Sequence, residues 1–165
     1  MKLAETNYDN SETGCCARLD ADKWDGREFI WEDKPFLRDH IRSLFHIPLN
    51  FGRVVGRTND AIEAESGYPE DPLFLTDAVS PWRTEVYVTV DRDIPGAKVE
   101  RLSGTFISKV FEGGYGKVGQ FLSDMQKHVA ASGRTAEKTY VYYAYCPKCS
   151  KHFGKNEMVL FSKVS

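Results

Sequence analysis

The sequence predicts an α+β fold of two strand-helix-strand-strand modules, joined in an antiparallel sheet with both main helices on one face and a cleft between them. Three observations predict it: strand-like runs rich in aromatic and β-branched residues, two stretches with apolar residues at helical spacing, and an order of elements that occurs twice. The chain has 165 residues, 41% of them hydrophobic, which is enough to bury one proper core. Residues 1–13 read as a flexible N-terminal segment. Residues 14–165 read as a single domain, with a first module at about 14–91 and a second at about 98–165.

In the first module, residues 27–31 form a short strand-like run containing Phe29 and Trp31. Residues 35–45 then place Phe36, Leu37, Ile41, Leu44 and Phe45 at helical spacing. Pro35 sits in the first turn, where its missing N–H is harmless, and Pro48 ends the helix from beyond. An extended run follows at 49–57, then a polar, turn-rich stretch at 58–81, then residues 84–91, where Val86, Tyr87, Val88 and Val90 favour a strand. In the second module, a strand at 105–111 leads through Gly113 and Gly114 into a helix. Its Tyr115, Val118, Leu122, Met125 and Val129 form one apolar stripe, and Gly133 stops it. Strands at 139–146 and 158–164 complete the pattern. Within 140–145 a period of two sets Tyr140, Tyr142 and Ala144 on one face and Val141, Tyr143 and Tyr145 on the other.

Charge and cysteine usage narrow the function classes. A formal net charge of −2 and a pI near 6.1 provide no basic field, so no direct nucleic-acid partner is expected. No apolar run approaches the ~20 residues of a membrane span, and the first residues lack the apolar core of a signal peptide. A soluble, cytoplasmic protein with no membrane partner is the expectation. In a reducing compartment Cys15, Cys16, Cys146 and Cys149 are thiols or metal ligands rather than a disulfide framework. Cys146, Cys149 and His152 have the spacing of one zinc knuckle, whose closure needs Cys15 or Cys16. A structural turn is the equal alternative, and a turn-like segment argues against redox chemistry. Apart from that zinc, no cofactor is expected. His40, His46 and His128 have no third ligand at recognisable spacing, and no nucleophile elbow, phosphate loop or zincin helix is present. The sequence leaves the oligomeric state open.

Trp31, Trp82, Tyr115 and Tyr143 fall at strand or helix ends that the two-module fold would bring to the cleft. An apolar pocket with a few polar tips is how proteins hold drug-sized molecules. Against this, an aromatic-rich strand is usually just a good strand.

The run LSGTFISKVFEGGY at residues 102–115, the helix after it and a tyrosine-rich strand ending at Pro147 resemble the GyrI-like small-molecule-binding domain. That family is named for a bacterial gyrase inhibitor and also supplies the drug-sensing half of multidrug-responsive transcription regulators. The resemblance covers the second half by motif and the first half by topology. Gly114 stands where the family usually has proline, and Val141 where drug-sensing members carry a buried glutamate. The resemblance implies binding of hydrophobic, aromatic small molecules, as in xenobiotic recognition, with Trp31, Trp82, Tyr115, Val141 and Tyr143 as binding residues. One subfamily hydrolyses strained, cyclopropane-bearing DNA-alkylating compounds in an aromatic cage. In that reading Tyr143 donates a hydrogen bond to an oxygen gaining negative charge, and Glu112 orients the attacking water. Glu32, Glu85 and Glu157 are other sources of the carboxylate, each weighed against being a solvated surface charge. Whether the chain is an enzyme stays open, and the alternative is a protein-interaction or inhibitor module acting through its surface.

Overall fold

The computed structural model describes residues 19–44, 47–69, 72–145 and 147–165. In chain order the elements are α1 (Ala21–Trp24), β1 (Arg27–Leu44), β2 (Ile47–Pro48), α2 (Phe51–Ala64), β3 (Phe74–Ser80), β4 (Arg83–Thr89), β5 (Lys98–Glu112), α3 (Val118–Ala131), β6 (Ala136–Tyr143), α4 (Pro147–Phe153) and β7 (Glu157–Val164). A turn of 3-10 helix at Tyr115–Lys117 precedes α3. The chain divides into two compact units, residues 32–103 and residues 1–31 with 104–165. Among the described residues no helix is long and apolar enough to cross a membrane.

In the unit of residues 32–103 the antiparallel strand order is β2-β1-β4-β3. Leu37 pairs with Val88, Ile41 with Thr84, and Phe74 with Val88, so these positions share a face. On that face α2 buries Val54, Thr58 and Ile62, spaced i, i+4, i+8 along one helix stripe. Val54 packs with Ile41 and Val86, and Ile62 with Leu37, Val88, Val90 and Ile94. The other face carries Phe36, Arg38 and His40 opposite Thr89, Tyr87 and Glu85.

This arrangement corrects the predicted fold class. Residues 35–44 of the helix expected at 35–45 lie inside the 18-residue strand β1, residue 45 being outside the described residues. The helix of this unit occupies 51–64, where the sequence pattern reads as an extended run to 57 and a turn-rich stretch beyond it. The physical reason is double burial. Phe36 is buried on one face of β1 and Leu37 and Ile41 on the other, so an apolar doublet followed four residues later by Ile41 imitates helical spacing. In α2, Gly52, Val54, Val55 and Gly56 lower helix propensity, and tertiary burial of one stripe overrides them. The described residues are therefore organised by long antiparallel strands, with the helices small beside them, rather than as an α+β sheet with two main helices on one face. With no helix at Pro35, the cleft expected between two helices loses one of its walls.

In the other unit the order is β6-β7-β5, with β7 central and buried along nearly its whole length. One face of this sheet packs Ile107, Val141, Met158, Leu160 and Val164 against Phe121, Met125 and Val129 of α3. Of the apolar stripe read from the sequence, Met125 and Val129 are buried and Val118 and Leu122 partly so, while Tyr115 lies exposed in the preceding 3-10 turn and Phe121 joins the buried set. Gly133, at φ 77°, ends the helix in a left-handed turn. The opposite face stacks Phe106, Tyr140 and Phe161 with Trp24, Phe29 and Trp31. The Ser108 hydroxyl donates to the Trp24 carbonyl at 2.5 Å, which ties α1 to that aromatic layer.

Candidate functional site

Two glutamates among the described residues are buried, Glu85 and Glu157, each only 4% exposed. Taking a carboxylate out of water costs several kcal/mol unless donors and cations compensate it. The partners of each therefore tell what it is for.

Glu85 lies on β4 in the unit of residues 32–103, beside the Arg38–Tyr87 pair. Arg38 Nε donates to Glu85 Oε2 at 3.2 Å, and Arg83 Nε donates to Oε1 at 2.7 Å. Arg38 also donates to Glu100 Oε2 at 2.6 Å, and its guanidinium lies 5.6 Å from the Tyr87 ring centroid. Burial pushes the Glu85 carboxyl up, but the hydrogen bonds from Arg38 and Arg83, with their charges, outweigh it and hold it below the usual glutamate value. Both oxygens are spent on guanidinium groups, so this carboxylate is a locked structural anion.

Glu157 opens β7 in the other unit, and its arrangement differs. The Tyr145 hydroxyl donates to Oε1 at 3.1 Å, and Lys155 Nζ reaches the same oxygen at 3.1 Å. Among the described residues no hydrogen bond reaches Oε2. Tyr145 is itself fixed: its hydroxyl accepts from the Leu19 N–H at 2.8 Å, and its carbonyl accepts from the Tyr115 hydroxyl at 2.7 Å. Its ring packs on Phe153 of α4 at 4.9 Å. The backbone beneath is clamped, since Gly113 N–H donates to the Asn156 carbonyl and Asn156 Nδ2 donates to the Gly113 carbonyl, each at 3.0 Å. A carboxylate with one oxygen oriented by a tyrosine and a lysine, and the other without a hydrogen bond among the described residues, can hold and polarise a water molecule.

The residues singled out from the sequence fall into separate places. Tyr115 and Tyr143 do meet, with ring centroids 6.0 Å apart, and are 38% and 37% exposed. Surrounding protein desolvates the Tyr143 phenol and pushes its pKa above that of a free tyrosine, so it stays a neutral hydrogen-bond donor at physiological pH. Val141 is part of the core under α3, and Tyr143 pairs in register with Met158 of that same core. Trp31 is buried in the aromatic layer of the opposite face, 4.2 Å from Phe106 and 5.4 Å from Phe29. Trp82 belongs to the unit of residues 32–103, half-exposed in the turn between β3 and β4. Glu112 is exposed at the end of β5, directly opposite Glu157 across the strands. Glu32 is exposed on β1.

Tyr145 is the residue that sequence reasoning misses. Its signal is its place just past the aromatic strand, twelve residues before a glutamate that starts the next one. Cys146, Cys15, Cys16 and His46 lie outside the described residues. The segment after Cys146 is helix α4 rather than a turn, with Cys149 fully buried and His152 against Phe153 at 5.4 Å. Among the described residues no group of three metal-ligating side chains is assembled.

Half-exposed and in contact, the two tyrosines form a surface on which a flat ring can lie. Tyr143→Ala should weaken binding of a planar aromatic ligand by ~1–3 kcal/mol, roughly 5- to 150-fold, the scale of one ring's burial. Titration calorimetry reads the affinity, and an unchanged value moves the binding surface elsewhere.

A family model described as "Bacterial hydrolase" matches residues 6–164. Similar solved structures include an uncharacterized conserved protein and a hydrolase, both from Listeria innocua. Each is 12% identical, with a TM-score of 0.60 over 86% of this chain and 92% of theirs. At that identity the likeness speaks to the fold alone. No curated protein matches the chain significantly.

Proposed function

This chain belongs to the bacterial hydrolase family, and from that membership we propose that it hydrolyses a small hydrophobic, aromatic molecule at the Glu157 end of the β6-β7-β5 sheet. The observation that carries the reading is the contrast between the two buried glutamates. Glu85 spends both oxygens on arginines, whereas Glu157 spends one on Tyr145 and Lys155 and has no hydrogen bond to the other among the described residues. Lys155 Nζ lies 3.1 Å from Oε1, and a carboxylate is a group that can accept a proton from water. Tyr145 fixes its direction. Glu112, its cross-strand neighbour, is the second carboxylate at this end of the sheet. The Tyr115–Tyr143 pair supports binding of a flat ring system, and the neutral Tyr143 hydroxyl supplies a donor for an oxygen that gains charge.

The resemblance to GyrI-like proteins supports a strained, cyclopropane-bearing dienone as the substrate class. Water oxygen bonds to a cyclopropane carbon while a ring C–C bond breaks. The electron pair passes through the conjugated system to the dienone oxygen. Glu157 takes the water proton and then releases it to solvent, and the new phenolate takes one from solvent, so the carboxylate is restored and charge and atoms balance. The test is incubation of the protein with such a compound while the dienone absorbance is followed, with mass spectrometry of the product. Loss of the chromophore with gain of one water is the expected result. A compound that stabilises the protein against heat without being consumed would reduce the reading to binding, and neither effect would refute it.

A further inference from the structure

We infer that the Leu19 backbone N–H and the Tyr145 hydroxyl are positioning groups for Glu157, and that the docking of α1 on β5 holds this relay in place. Their role rests on Glu157 being the hydrolytic carboxylate. A backbone N–H only donates, so the Leu19 N–H, at 2.8 Å, occupies a lone pair of the Tyr145 oxygen and turns the phenolic proton away from itself. Glu157 Oε1, at 3.1 Å, is the acceptor that this proton meets. With Oε1 held by Tyr145 and Lys155, proton uptake from water falls to Oε2, which no hydrogen bond reaches among the described residues. Tyr145 is only 2% exposed, so little water competes for its hydroxyl.

Leu19 meets Tyr145 across 126 residues of sequence, and what fixes its backbone is the helix that follows it. With only four residues, α1 is too short to be stable by itself, so its position comes from tertiary contacts. The Trp24 ring meets Phe161 edge-on at 5.5 Å, and the Trp24 carbonyl accepts from Ser108 at 2.5 Å. Asp25 Oδ1 accepts from the Val110 N–H of β5 at 3.1 Å and lies 3.6 Å from Lys109 Nζ. Asp25 is half-exposed and bonded to β5 rather than to the site, so its influence on the reaction passes through the position of α1. Tyr145 also serves the ring-binding surface, but through its backbone: its carbonyl accepts from the Tyr115 hydroxyl at 2.7 Å. Removing the phenolic oxygen therefore disturbs the carboxylate and spares the contact that holds Tyr115.

The experiment combines kinetics on the cyclopropane-bearing probe with hydrogen exchange, circular dichroism and thermal melts confirming that each variant folds. Tyr145→Phe should lower kcat about tenfold or more with KM held within about twofold, since a misplaced reacting group costs rate rather than binding. Leu19→Pro removes the N–H, and its kcat should fall at least about threefold below that of Leu19→Ala, which keeps the donor. Asp25→Ala should lower kcat about threefold or more, and should add nothing once Tyr145 is replaced by phenylalanine, because groups in one hydrogen-bonded chain are not additive. A readout that needs no substrate is NMR exchange of the Leu19 amide, which should quicken about tenfold or more in Tyr145→Phe and in Asp25→Ala. Unchanged exchange in either variant overturns the relay whatever the kinetics. Quickened exchange with kcat kept in Tyr145→Phe overturns the positioning role, and an additive loss in the double variant overturns the part given to α1. A parent that leaves the probe intact overturns the hydrolytic reading and this role with it. Activity lost in Glu157→Gln but kept in Tyr145→Phe overturns this role alone.

Discussion

Glu157→Gln should lower hydrolysis of the cyclopropane-bearing probe at least a hundredfold while shifting the melting temperature by only a few degrees. A positioned carboxylate contributes roughly 10²–10⁴-fold to such a step. The amide keeps the shape and can still accept the Tyr145 hydrogen bond, but it cannot take a proton. Glu112→Gln is the informative companion, because Glu112 sits directly opposite across the strands yet lies exposed. That variant should retain activity within about threefold, as expected for a solvated group outside the reacting centre. If Glu112→Gln is the inactive variant and Glu157→Gln the active one, the water-orienting role passes to β5. If both are fully active, the hydrolytic site is not at this end of the sheet.

The second large effect concerns stability. Glu85→Gln should destabilise the protein by about 2–3 kcal/mol at neutral pH, somewhat less than the ~3–5 kcal/mol typical of breaking a fully buried pair. The reduction follows from the surroundings: Arg83 is half-exposed and Arg38 keeps Glu100, so neither guanidinium is left stranded. For a chain of this size that corresponds to a loss of about 4–12 °C in melting temperature. The pH dependence follows from the direction of the shift. The folded carboxyl titrates below its unfolded counterpart, so its stabilisation is complete above the unfolded value of about 4.3 and is lost as pH falls through the folded value. Stability curves of the parent and of Glu85→Gln should therefore be well separated at pH 7 and converge in acid. Asp39 adds to the same acid slope. Burial raises its carboxyl, yet the hydrogen bond from Arg57, the His40 N–H and the charges of both lower it on balance. Curves that stay parallel down to pH 2 would show that the arginine clamp contributes nothing to folding.

The second half of the chain is largely legible in its amino-acid sequence, for a physical reason visible in its residues. Its strands are buried on both faces too, but they are rich in aromatic and β-branched residues. They are set apart from a helix whose Val118, Leu122, Met125 and Val129 turn one stripe to the sheet, so the helical and extended patterns do not imitate each other. In the first half the same rules mislead. Phe36 and Leu37 are buried on opposite faces of one strand, and α2 is held helical by packing against β1 and β4 in spite of its glycines and valines.

The candidate site divides along the same line. Local sequence determined that tyrosines would line the end of β6 and that a glutamate would open β7. It also placed Tyr115 at the start of a helix, whereas its meeting with Tyr143, without Trp31 or Trp82, is the work of the fold. What only tertiary structure decided is which carboxylate leaves water and with what consequence. Glu85 meets Arg38 from 47 residues away and is locked, while Glu157 meets Tyr145 and Lys155 through one oxygen and, among the described residues, forms no hydrogen bond with the other. Periodicity reports which residues share a face of their own element. The state of a buried charge depends instead on donors that other elements bring within about 3 Å, and that distance is a property of the fold.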